Sequence, residues 1–149
     1  MPLWQIYHPA GTFDVAASKQ ALAEDITKIY TAVGLPAFYV VVHFTQQSQG
    51  DVFVGGKPKG DKPFIRIVVT HIAVHQPKED AAYRRVTAKI DNALKPHVAD
   101  KGYDWEYHVD ETERRLWKIN GMIPPPWKSE EELQWFRDNQ PLPYNGAYL

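Results

Sequence analysis

The sequence predicts a mixed α+β fold: a four-stranded sheet built from two strand-helix-strand units, with both helices on one face. Three observations point there. Apolar residues recur at helical spacing in two stretches, and each stretch is flanked by β-branched and aromatic runs. Clusters of Gly and Pro separate the runs. The order strand, helix, strand then occurs twice, over about residues 2–44 and 64–109, so the parallel strands of each unit need right-handed crossovers.

The first strand is read from Leu3 to Tyr7, ended by "HPAGT". In "DVAASKQALAEDITKIYTAVG", Leu22, Ile26, Ile29 and Val33 share one helical face, and Gly34 is placed to stop the helix. "FYVVVHF", Phe38 to Phe44, reads as a mostly buried strand, and "GGKPKGDKP" as a loop or hairpin end. "FIRIVVTHI" is the next strand. Pro77 suits the first turn of the second helix, Ala82, Val86, Ile90 and Ala93 give its apolar stripe, and Pro96 stops it. "YDWEYHV", Tyr103 to Val109, closes the sheet.

A C-terminal extension, about residues 116–149, follows within a single expected domain. "LWKIN" reads as a short edge strand, and Ser129 with Glu132 has capping-box spacing for a short helix. Trp127, Trp135 and Phe136 are expected to pack on the body or on a neighbouring subunit. A sheet covered on one face leaves the other to be covered by association, since "FIRIVVTHI" is mostly apolar on both faces.

Composition narrows the function. The 149 residues carry 17 Lys+Arg against 18 Asp+Glu, a formal charge of -1, with no sustained basic run, so nucleic acid is not an expected partner. There is no cysteine, hence no disulfide and no thiolate zinc site. His8, His43, His97 and His108 have no metal-ligand spacing, and no metal is expected. The N-terminus lacks a secretory pattern and the longest apolar run is too short to span a bilayer, so a cytoplasmic protein without membrane attachment is expected.

Pro2 is the first candidate for chemistry. Once Met1 is removed it is a secondary amine with ring-fixed geometry at the start of a strand; with Met1 retained it is a tertiary amide without a basic nitrogen. His71, late in its strand, reads either as a hydrogen-bonded structural histidine or as a site residue. Arg66 can hold a carboxylate bidentately or join an ion pair. Tyr30 lies near the apolar face of the first helix, where packing and contact with a substrate are both open. "VGGKPKG" lacks the spacing and strand-loop-helix context of a phosphate loop.

A proline after Met1, "LAEDITKIY", "DVFVGG", "THIA", "WEYHVDE" and "INGMIPPP", in this order over nearly the whole chain, resemble the tautomerase superfamily. The resemblance is to the branch of cis-3-chloroacrylic acid dehalogenase and its fungal oxalocrotonate tautomerase relatives. It implies the tautomerase (MIF-like) fold, a homotrimer, no metal or organic cofactor, and a small anionic carboxylic acid as substrate. Pro2 would shuttle protons when neutral or act as a cationic acid when protonated. Tyr107 matches a tyrosine of the last strand that donates to an enolate oxygen. Other matches depart from the pattern. Tyr30 stands where the dehalogenases have a substrate-binding histidine. The expected arginine pair falls near His75 and Lys78, or near Val74, and the water-activating glutamate near Lys118, which counts against hydrolytic dehalogenation. The activity so implied is tautomerisation. Hydration, dehalogenation or decarboxylation on the same fold, and a catalytically silent trimer that binds a ligand or partner, are the alternatives.

Overall fold

The computed structural model describes residues 1–148. Strand β1 (Pro2–Pro9) shows the period of two expected of a strand: Pro2, Trp4, Ile6 and His8 are buried, while Leu3, Gln5, Tyr7 and Pro9 are half-buried on the other face. Helix α1 (Ala16–Thr31) crosses to β2 (Val41–Gln47), which lies parallel to β1. A two-residue-per-strand hairpin, β3 (Phe53–Val54) and β4 (Lys57–Pro58), turns at Gly55 and Gly56. Both glycines have positive φ, as such a tight turn requires.

Strand β5 (Phe64–Ile72) runs antiparallel to β1, and α2 (Asp80–Leu94) crosses to β6 (Asp104–Thr112), parallel to β5. The sheet order is β2-β1-β5-β6. Each strand-helix-strand unit is thus a parallel pair, and the units join along the antiparallel β1–β5 seam. Trp4, Ile6, Ile65, Ile67 and Val69 of the sheet meet Leu22, Ile26 and Tyr30 of α1 and Ile90 and Leu94 of α2 in one core. Apolar burial on this face is the main favourable term for the fold.

Helix α3 (Glu130–Asp138) starts at Ser129, whose hydroxyl accepts from the Glu132 N–H at 3.2 Å. A second cluster, Tyr39, Trp117, Met122, Trp135 and Ala147, holds the C-terminal segment against the body. Met1 packs against it, so the tail closes over the chain start.

Several boundaries differ from the sequence reading. Val33 lies beyond α1 and is exposed, because the helix closes at Thr31 and Gly34, with φ +88°, turns the chain away. The strand read from Phe38 begins only at Val41: residues Ala37–Tyr39 form a 3₁₀ turn that sends Tyr39 into the tail cluster. Pro77 precedes α2, whose N-cap is Glu79. "LWKIN" forms no strand, because Asn120 and Gly121, both at positive φ, fold it back to a single Ile119–Met122 bridge. Trp135 packs as expected, whereas Trp127 stays 63% exposed.

Candidate active site

The register of β1 against β5 sets Pro2 opposite His71, with both side chains on the helix-covered face. They form the floor of a cavity of about 630 Å³ between the end of α1, one side of α2 from Ala82 to Ile90 and the C-terminal segment. After β5 the chain turns at Ala73, whose φ of +67° lies in the left-handed region that non-glycine residues rarely enter. That turn carries residues 73–77 along the cavity wall.

A buried chain of polar groups fixes the floor. The Trp4 indole N–H donates to the Tyr30 hydroxyl at 3.0 Å, and that hydroxyl lies 2.9 Å from His71 Nε2. With its oxygen accepting from Trp4, Tyr30 gives its own proton to Nε2, which places the imidazole hydrogen on Nδ1. Nδ1 is buried and has no partner among the described residues. Burial pushes the Tyr30 phenol above its ordinary pKa and, with the nearby amino terminus, lowers that of His71. His71 is therefore a neutral donor near neutral pH.

The amino terminus lies at the same floor. The Met1 amine donates to the Ile72 carbonyl at 2.9 Å, and the Ile72 N–H donates back to the Met1 carbonyl at 2.7 Å. Burial, with the positive charge of Arg114, lowers this amine from 8.0 to about 5, opposed in part by Glu132.

Cations surround the cavity. Arg85 and Lys89, one helical turn apart on α2, line it, as does Arg114 beyond β6. None of the three makes an ion pair among the described residues. Glu132 is the one carboxyl among the lining residues; its Oε2 accepts from the Lys128 N–H at 2.6 Å, and burial raises its pKa. Two further buried donors of the lining, the Tyr39 hydroxyl and the Trp117 indole N–H, have no partner among the described residues.

Of the residues singled out in the sequence, Pro2, Tyr30, His71 and His75 meet at this cavity. The other four do not. Tyr107 points to the helix side of β6, where its hydroxyl donates to Asp91 Oδ1 at 2.9 Å on α2. Arg66 belongs to the opposite, open face, where it donates to the Ile67 and Glu106 carbonyls and neighbours His108. Lys78 and Lys118 are exposed and lie outside the lining, Lys78 because α2 starts later than expected and Lys118 because it follows the turn that buries Trp117. Sequence reasoning missed Arg85, Lys89, Arg114 and Glu132. The spacing of Arg85 and Lys89 beside Val86 and Ile90 was a usable signal. Nothing local marks Arg114 or Glu132, because tertiary folding of the tail brings them in.

The sequence profile of the family described as "Putative oxalocrotonate tautomerase enzyme" matches residues 1–140. The chain is similar to the crystal structure of native RhCC from Rhodococcus jostii RHA1, at 38% identity over 95% of this chain and 99% of that one, with a TM-score of 0.88. A probable enzyme from the thermophilic fungus Aspergillus fumigatus is 42% identical over 97% of this chain and 98% of that one, with a TM-score of 0.86. At 16% identity, a fused 4-OT wild-type symmetric trimer shares the fold, with a TM-score of 0.58 over 79% of this chain and 91% of that one. No curated protein matches the chain.

Proposed function

The chain belongs to this family of oxalocrotonate tautomerases, and on that premise we propose that Pro2, freed by removal of Met1, moves a proton between carbon and oxygen of a small 2-oxo or enol carboxylic acid. The carrying observation is the position of the chain start on the floor of a cavity lined by Arg85, Lys89 and Arg114, which make no ion pair among the described residues. Burial and the Arg114 charge lower the Met1 amine, and the proposal requires that they lower the Pro2 amine, one residue further along the same floor, in the same direction. A lowered pKa leaves the amine neutral at pH 7 and favours the base over the cationic acid.

In the ketonising direction, the Pro2 nitrogen takes the enol hydroxyl proton and leaves the O–H bonding pair on oxygen as an enolate. That oxygen forms the carbonyl as the C2–C3 double-bond pair takes the proton back from Pro2 at C3. No cofactor enters these steps. The Nδ1–H of His71, aligned through Tyr30 and Trp4, supplies a donor for the developing oxyanion. Tyr107 has no such place within the protomer, since Asp91 holds its hydroxyl. Arg85, Lys89 and Arg114 attract the anionic substrate.

Glu132 favours a second reading, hydration or dehalogenation of an unsaturated acid, because a buried carboxyl beside the chain start can activate water. The discriminating assay is phenylenolpyruvate ketonisation against 3-chloroacrylate turnover with Met1-free protein. The proposal expects kcat/KM at least about 100-fold higher for ketonisation, the lower end of what one positioned acid–base group supplies. Efficient halide release with slow ketonisation contradicts it and supports the second reading.

We propose further that the chain is a homotrimer. Leu3 and Tyr7 of β1 and Phe64 and Val68 of β5 line the sheet face that no helix covers, and the exposed hairpin residues Phe53 and Val54 add apolar surface. Light scattering at micromolar concentration is expected to give three times the chain mass. A stable monomer removes the assembly.

A further inference from the structure

Three buried donors at the cavity have no acceptor among the described residues, and one of them, the Nδ1–H of His71, is used above. The other two, the Tyr39 hydroxyl and the Trp117 indole N–H, belong to side chains 1% and 7% exposed whose rings meet edge to face at 5.2 Å. A buried donor left unpaired costs about 1–3 kcal/mol, so two on neighbouring rings of one cavity lining require an explanation. The Arg114 guanidinium lies 5.8 Å from the Trp117 ring and is anchored through Nη2 by the Pro124 and Pro125 carbonyls, at 2.8 and 2.6 Å. Its Nε and Nη1 make no hydrogen bond among the described residues. Glu132 does not claim them, since no ion pair joins it to Arg114 and its Oε2 is held by Lys128.

Apart from the Glu132 carboxyl, whose Oε2 is held by Lys128, the polar groups of this part of the lining are donors: a planar cation, an indole N–H and a phenol. The group that matches is an anionic, two-oxygen acceptor. The Met1 side chain packs against the same Tyr39–Trp117 cluster. We propose that the substrate carboxylate is received by Arg114, Trp117 and Tyr39, in a subsite that the Met1 side chain covers and that removal of Met1 opens. The assignment rests on the carboxylic acid substrate proposed above. It gives Met1 removal two effects, freeing the Pro2 nitrogen and uncovering the anion subsite. It also moves carboxylate recognition from the segment after β5, where His75 and Lys78 stand, to the C-terminal segment.

The test is binding of an unreactive acid, 3-phenylpropanoate, to Met1-free protein, followed by indole N–H resonances in two-dimensional NMR. The Trp117 signal should move downfield and saturate. The signal of Trp105, which lies outside the cavity lining, serves as the internal reference. Arg114→Met should weaken binding about 10- to 100-fold, the range for a charged hydrogen bond. Protein retaining Met1 should bind at least tenfold more weakly than Met1-free protein. Binding that leaves Trp117 unmoved and is indifferent to Arg114→Met overturns the assignment, as does the absence of any saturable shift. A ketonisation assay on the same Met1-free wild-type protein separates this from the catalytic reading: a Trp117 shift without ketonisation defeats only the proton-transfer proposal.

Discussion

Placing one extra residue in front of Pro2 is expected to lower kcat/KM for ketonisation by about 10²- to 10⁴-fold, the range that a positioned general base contributes. The nitrogen of Pro2 becomes a tertiary amide, and its lone pair is lost to resonance. The new terminal amine does not take over. A strand advances about 3.3 Å per residue, and in the Met1 form the amine is tied to the Ile72 carbonyl at 2.9 Å. A misplacement of about 1 Å can already cost 10²-fold, so an amine displaced by a whole residue is a poor substitute. Pro2→Ala, freed of Met1, keeps an amine at the right position and should lose less. Undiminished turnover by the extended protein, its mass verified, would exclude Pro2 as the base.

Trp4→Ala is expected to cost about 3–5 kcal/mol of stability, because Trp4 is fully buried at the centre of the β1–β5 seam and its removal leaves a cavity between sheet and helices. Against a typical total of about 5–15 kcal/mol, that brings the chain close to unfolding. Tyr30→Phe isolates the polar part of the same device. It keeps the ring but leaves the Trp4 N–H and His71 Nε2 without their partner, at about 1–3 kcal/mol, and it frees His71 to change tautomer. Its denaturation midpoint should fall modestly while kcat drops more than KM changes. Equal losses for the two variants by chemical denaturation would mean that the hydroxyl, rather than packing, carries the stability of this region.

The sheet and both crossover helices were legible because their signals are periodic: alternation in "FIRIVVTHI" and the three-and-four spacing of Leu22, Ile26 and Ile29 report burial directly. The capping pair Ser129–Glu132 was legible for the same local reason. What escaped were features decided by long-range packing. Tyr39 leaves the expected strand because Trp117 and Trp135, some eighty and ninety-six positions away, offer it a buried place. Arg114 and Glu132 reach the cavity only because the tail folds back over Met1. Tyr107 carried a family expectation, yet in this chain Asp91 one strand-helix layer away takes its hydroxyl. His71 was legible as a position but not as a donor, since its tautomer follows from Trp4 and Tyr30.

Titrating the ¹⁵N-labelled Pro2 nitrogen in Met1-free protein, beside the pH dependence of kcat/KM, shows whether a neutral amine at residue 2 carries the proton. A base works deprotonated, so a lowered pKa predicts that activity holds as pH falls below 8 and declines only as the amine gains its proton. The Pro2 resonance and the acidic limb of the rate profile should share one midpoint, below the ~7.7–8.0 of an ordinary terminal amine. A Pro2 nitrogen that is still protonated at pH 8 while ketonisation runs at full rate would contradict it.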